Sequence, residues 1–259
     1  MSSINFKNFV IYPDFFDKYN LENPSYGYNL KDYFNNNKKG LIVLFTTPKL
    51  PNFYEILTLG DGSCFYYTIE KINCKFHQER KLNYLKAELK DIFKINDNNN
   101  DNIIEKFLPI PPKSIEDCIN DLEKDNSLEP QIKERIMRGY KGYVNNELGL
   151  GIELYDIMKE LREFKMKAFI HILPLPQKKL EWIIKEMNFS EEEIQFYDYK
   201  LQKDIKMFKD EEIKSPDEII HILFRRDHYS RLIEKSQFPC LEKFCEENNI
   251  ELKIIDLPD

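Results

Sequence analysis

The stretch Asp61-Gly62-Ser63-Cys64-Phe65-Tyr66-Tyr67-Thr68-Ile69 constrains this chain more than any other. It sets a cysteine on a glycine turn where an amphipathic helix is expected to begin. Gly62 tolerates backbone angles that other residues resist. Phe65, Ile69, Ile72 and Phe76 recur at helical spacing, so the chain after Cys64 reads as a helix with one buried face. A thiol at a helix N-terminus lies near unpaired backbone N–H groups and the positive end of the helix dipole. Both favour thiolate, and the same N–H groups can cradle an oxyanion. The pattern suits a cysteine nucleophile.

Such a nucleophile needs a base, and the chain has four histidines: His77, His171, His221 and His228. His228 follows Ile219-Ile220-His221-Ile222-Leu223-Phe224, which reads as a buried strand, and precedes Tyr229, Ser230 and Leu232. A histidine between two strands can face a cleft while the strands hold its backbone still. His171, inside the expected strand Ala168–Leu173, reads as a packing residue.

Asp61-Gly62-Ser63-Cys64-Phe65-Tyr66 resembles the cysteine motif of the ovarian-tumour (OTU) family of deubiquitinating cysteine proteases, and Asp227-His228-Tyr229-Ser230-Arg231-Leu232 resembles its histidine motif. Between them, Gly149-Leu150-Gly151-Ile152-Glu153-Leu154, followed by Leu161 and Phe169-Ile170-His171-Ile172, is similar to that family's glycine-rich turn, helix and strand. The three blocks stand in the family's order. The resemblance implies an α+β, papain-like fold with a small central β-sheet flanked by helices. It also implies catalytic roles for Cys64 and His228, and a loop-shaping role for Asp61.

Two positions depart from the family pattern. Ser63 stands where the family often has Asn. Ser230 stands two residues after the histidine, where the family commonly has Asp or Asn to orient the imidazole. A serine hydroxyl can accept a hydrogen bond from the ring N–H but cannot stabilise imidazolium as a carboxylate does. The third member is either Ser230 or a group from elsewhere, with Asp32 and Asn29 as upstream sources.

The chain has 259 residues, 42% of them hydrophobic, with 19 Phe and 15 Tyr, which is ample for a buried core. A net charge of -7 argues against a general nucleic-acid binder and suits a basic partner. The resemblance names that partner as the tail of ubiquitin, or of polyubiquitin or a ubiquitin-like modifier. The five cysteines (Cys64, Cys74, Cys118, Cys240, Cys245) include no CxxC pair, so zinc is not expected, and the mechanism that the resemblance implies requires no other cofactor. Free thiols indicate a reducing compartment. The start lacks the apolar core of a signal peptide, and Leu41–Phe45 is too short to cross a bilayer. The expectation is a soluble, cytoplasmic protein with no membrane partner, acting in host cytosol if its source is a virus or intracellular pathogen.

Residues 1–50 read as an N-terminal extension packed on a catalytic domain spanning 51–259, with a strand at Gly40–Thr47. Helices are expected over Arg80–Lys94, from Ser114 onward, over Glu129–Met137 and from Glu153. Tyr140 and Tyr143 then fall where loops of the resembled family grip ubiquitin, and are candidate contacts or packing residues. Residues 174–217 read as a charged helical insertion with a capping box at Ser190-Glu191-Glu192-Glu193 and Trp182, Ile183, Met187 and Phe189 on its apolar side. A last strand is expected at Ile250–Asp256.

The implied activity is hydrolysis of the bond after the C-terminal glycine of the modifier, through a thioester. One alternative is a weak or inactive ubiquitin-binding module that kept the fold. Another is a thiol hydrolase acting on small amides.

Overall fold

The computed structural model describes residues 4–12, 22–23, 28–29, 39–46, 48–58, 62–94, 101–110, 113–145, 153–173, 195–198, 203–215, 218–225 and 228–256. These fall into two compact units: Met1–Gly60, Cys64–Glu70 and Ile152–Asp259 form one, and Asp61–Ser63 with Lys71–Gly151 form the other.

The first unit is built on an eight-stranded mixed sheet, larger than the small one expected. Its strands are β3 (Leu41–Thr46), β4 (Phe53–Ile56), β5 (Ala168–Leu173), β6 (Gln195–Asp198), β7 (Lys203–Met207), β8 (Ile220–Arg225), β9 (His228–Glu234) and β10 (Glu251–Asp256), in the order β10-β3-β4-β9-β8-β5-β7-β6. The pairs β10–β3 and β5–β8 are parallel and the others antiparallel. A separate two-stranded ribbon pairs β1 (Glu22–Asn23) with β2 (Tyr28–Asn29).

Leu41-Ile42-Val43-Leu44-Phe45 is buried throughout, as a near-continuous apolar run requires of a strand covered on both faces. Ile42, Leu44, Ile56 and Ile233 pack with Phe6, Phe9, Leu241 and Cys245. The last two lie on α7 (Phe238–Glu247). Ile11 joins Leu41 through reciprocal backbone hydrogen bonds of 2.8 Å. The first fifty residues thus supply both a sheet strand and core side chains. A smaller cluster holds Leu50, Leu173, Leu223 and Leu232.

Cys64–Thr68 forms a short helix, α1, and Leu154–Glu163 forms α6, with Leu154, Ile157, Met158 and Leu161 buried at the expected spacing. The expected helix from Cys64 through Phe76 is interrupted. Glu70 turns into the left-handed region at φ 59, and its carboxylate accepts from the backbone N–H of Asn5 and from Asn8 Nδ2. A partner 65 positions away fixes that turn, and local periodicity carries no trace of it.

The described part of the expected helical insertion is also different. Strands β6 and β7 pair antiparallel, and β7 is added to β5 with Ile170 opposite Ile205. Charge masks the alternation here. Lys206 is buried along its stem, with its ammonium 2.7 Å from Asp210 and 5.0 Å from the centre of the Phe208 ring. The capping box at Ser190 and the apolar residues Trp182–Phe189 lie outside the described residues.

The second unit is helical: α2 (Lys75–Phe93), α3 (Asp101–Lys106), α4 (Ile115–Lys124) and α5 (Pro130–Asn145). Leu85, Leu89, Ile92, Ile104, Phe107, Leu108, Cys118, Leu122, Ile136 and Tyr140 form its core. Ser114 caps α4 in a reciprocal arrangement with Asp117, at the helix start that the sequence implied. The helix begun at Pro130 continues through Gly139 to Asn145, eight residues past the expected end at Met137, so Tyr140 and Tyr143 sit on a helix rather than in a loop.

Candidate active site

Gly62 takes φ 85, which a side chain would strain, and delivers the chain into Ser63 and Cys64. Cys64 is the first residue of α1 and is 3% exposed. One helical turn later, the Thr68 hydroxyl reaches the carbonyl oxygen of Cys64 at 2.8 Å. The same hydroxyl lies 3.2 Å from the carbonyl oxygen of Tyr229, the second residue of β9. The Phe65 and Tyr229 rings meet edge to face with centroids 5.9 Å apart. Tyr229 also stacks on Phe224 at 4.7 Å. Tyr66 donates to Glu160 Oε1 at 3.0 Å, anchoring α1 to α6. Helix α1 therefore packs on the first half of β9, and Cys64 and His228 open these two adjoining elements.

His228 is 6% exposed. Burial, with the Arg225 guanidinium adding to it, pushes its imidazole down from 6.5 to about 4, while a hydrogen bond to the Thr58 backbone partly opposes the shift. Only a carbonyl accepting from the ring N–H favours imidazolium, so the Thr58 carbonyl fixes which nitrogen carries the proton. Arg225 stands opposite His228 in the β8–β9 register and pairs with buried Glu55 at 3.2 Å. The result is an imidazole that is neutral near pH 7, and the burial that keeps it neutral also weakens it as a base.

Ser230 lies two residues along β9, buried, on the same strand face as His228 by the alternation of side chains. The orienting contact from Thr58 was invisible to sequence reading, because it uses a backbone carbonyl and any residue type could supply it. Thr68 and the Glu55–Arg225 pair were missed for another reason: each couples elements distant in sequence. Asp61, Asp32, Asp227 and the block Gly149–Ile152 lie outside the described residues, and Asn29 is described only as backbone.

The other histidines have separate places. His77 is fully buried on α2. Its Nε2 lies 3.0 Å from Ser63 Oγ, and its Nδ1 bonds the Ile72 carbonyl. Burial holds it at about 4 as well. With Nδ1–H given to a carbonyl, Nε2 accepts from the serine hydroxyl. His171 stacks on His221 with centroids 5.5 Å apart and packs against Phe53 and Phe169.

Tyr140 is 1% exposed and donates to the Phe107 carbonyl at 2.8 Å. Of its two sequence readings, packing holds and modifier contact does not. Tyr143 is partly buried in the same core, with the Lys81 ammonium 4.6 Å from its ring centre. Among the described residues no cluster of three or more His, Cys, Asp or Glu could hold a metal ion, and no helix is long and apolar enough to cross a membrane.

No protein-family model, curated protein or solved structure matches the chain.

Proposed function

We propose that the chain is a cysteine isopeptidase of the OTU type, which removes ubiquitin or a ubiquitin-like modifier from a lysine amine. The observation that carries this reading is the packing of α1 on β9, which brings the elements opened by Cys64 and His228 together. Cys64 Sγ attacks the carbonyl carbon of the modifier's last glycine as its proton passes to His228. The tetrahedral oxyanion is held by the backbone N–H of Cys64 at the start of α1, a donor worth on the order of a hundredfold in rate. Collapse expels the lysine amine, which takes the proton from His228 and leaves a thioester. Water, deprotonated by the same imidazole, then releases the modifier's carboxylate and restores the thiol. A tail of two glycines suits a narrow channel, since no side chain needs room. The proposed place of action is the cytosol.

The test is covalent capture by ubiquitin carrying a C-terminal electrophile, alongside a panel of ubiquitin-like probes. The folded protein is expected to form an adduct that Cys64→Ala abolishes. Absence of any adduct from a folded sample rejects the protease reading.

The second reading, a binding module without turnover, is favoured by one observation: Cys64 and His228 are only 3% and 6% exposed. It predicts ubiquitin binding by calorimetry with no adduct and no cleavage of any di-ubiquitin linkage.

A further inference from the structure

We infer that Thr68 is a positioning residue for the thiol–imidazole pair, clamping α1 to β9 so that Cys64 stays in register with His228. The inference rests on the protease reading above. Thr68 is fully buried, where a hydroxyl is costly unless it is hydrogen-bonded. Its bond to the Cys64 carbonyl at 2.8 Å is local, the back-bond that helical threonines commonly make. The contact at 3.2 Å with the Tyr229 carbonyl is not local, because it reaches 161 positions along the chain. The hydroxyl has one proton, which it shares as a three-centre bond between the carbonyl of the candidate nucleophile, at the shorter distance, and the carbonyl of the residue after the candidate base.

The backbone of Thr68 makes a second tie to the same strand. Its carbonyl, near the C-terminal end of α1 where helical partners run out, accepts from Arg231 Nη1 at 3.4 Å. Burial lowers the Arg231 guanidinium to about 10, the charge of Glu70 opposes that shift, and Nε has no hydrogen-bond partner. A buried cation placed at this cost on the carbonyl end of α1 fits a strand built to grip that helix.

Strand β4 pairs with β9 from Phe53↔Glu234 to Ile56↔Arg231, so His228–Ser230 run beyond it on that edge, while β8 pairs with them on the other from Arg225↔His228 to Leu223↔Ser230. Along this part of β9, α1 takes over with Thr68 and Phe65. The ring contact between Phe65 and Tyr229 tolerates sliding, whereas the hydroxyl is directional and sets the register. Proton transfer from Cys64 to His228 is sensitive to that register, since a displacement of about 1 Å costs on the order of 100-fold.

The experiment compares wild type, Thr68→Val, Thr68→Ser and Thr68→Ala by two readouts. One is the rate of capture by the ubiquitin electrophile. The other is the pH profile of iodoacetamide alkylation at Cys64, followed on its own peptide by mass spectrometry. Valine keeps the shape and removes only the hydroxyl. Thr68→Val is expected to slow capture about 10- to 100-fold and to shift the alkylation profile toward that of an ordinary thiol, with a cooperative melt retained. Thr68→Ser is expected to restore both. Should Thr68→Val fail to melt cooperatively, Thr68→Ala takes its place in the comparison.

Equal rates and superimposable profiles for valine and wild type overturn the clamp. So does a serine variant as slow as the valine one, which would assign the effect to the methyl group. If wild type forms no adduct, the protease reading falls by itself. The alkylation profiles then decide the clamp on the same terms.

Discussion

At the scale of single residues, the governing fact is burial of ionisable groups. His228 is held at about 4 rather than 6.5, chiefly because water is excluded from it, and His77 at about 4 for the same first reason. As pH falls below 6.5 the unfolded chain takes up protons that these folded imidazoles refuse. Their stabilising contribution is therefore complete above pH 6.5 and is lost progressively as pH falls through about 4. For His228 the full effect is on the order of 3 kcal/mol. Melting temperature should be flat above pH 6.5 and decline between 6.5 and 5, before most carboxylates titrate. Replacing both histidines by Gln should flatten that decline. An unchanged slope in the double variant would place the linkage elsewhere. In the catalytic reading, the base form of His228 also persists through pH 5, so probe capture should not fall with a midpoint near 6.5.

At the scale of elements, what the sequence revealed tracks how local the cause was. Strand β5 falls on the expected Ala168–Leu173 because its apolar run is bounded by charged residues on one side and a proline on the other. The start of α4 was legible in Ser114 and Asp117, since a capping box acts over three residues. By contrast, Glu70, two residues past the end of α1, is bonded by Asn5 and Asn8, and β7 pairs with β5. Neither partner is adjacent in sequence. The same contrast applies around the candidate site, where motifs singled out Cys64 and His228 and nothing local pointed to their neighbours Thr58, Thr68 and Glu55.

Helix α5 gives this contrast a measurable form. Tyr140 was open to a role in gripping a modifier, yet its hydroxyl serves the Phe107 carbonyl inside the helical core. Burial is the first cause raising its phenol above the ordinary value, so it stays a donor at any working pH. Tyr140→Phe leaves a buried carbonyl short of a donor and should lower the free energy of unfolding by about 1–2 kcal/mol. Denaturant titration reads that loss, and ubiquitin capture should be unchanged. A variant of native stability that no longer engaged ubiquitin would return Tyr140 to the contact role.

At the scale of the whole molecule, the sheet is closed on one side by a pairing no local rule demands. Strand β10 lies parallel to β3, and Thr46 donates to Asp256 across 210 positions. Such a contact closes a long loop, at an entropic cost that grows only slowly with its length. It also has a protective role. Leu41–Phe45 is apolar and buried throughout, and without β10 its backbone N–H and C=O groups would present an unpaired, flat, hydrophobic edge. On β10 itself Glu251, Leu252 and Lys253 are half-buried, Ile255 is buried, and Ile254 and Asp256 face solvent. Ending the chain at Asn249 should therefore shift the protein to larger species than the full chain forms on size-exclusion chromatography and raise thioflavin binding. Ile254→Lys, at a position 44% exposed, should keep the elution volume and the melt of wild type. A truncated chain that eluted and melted like wild type would show that β3 is protected by something other than its parallel neighbour.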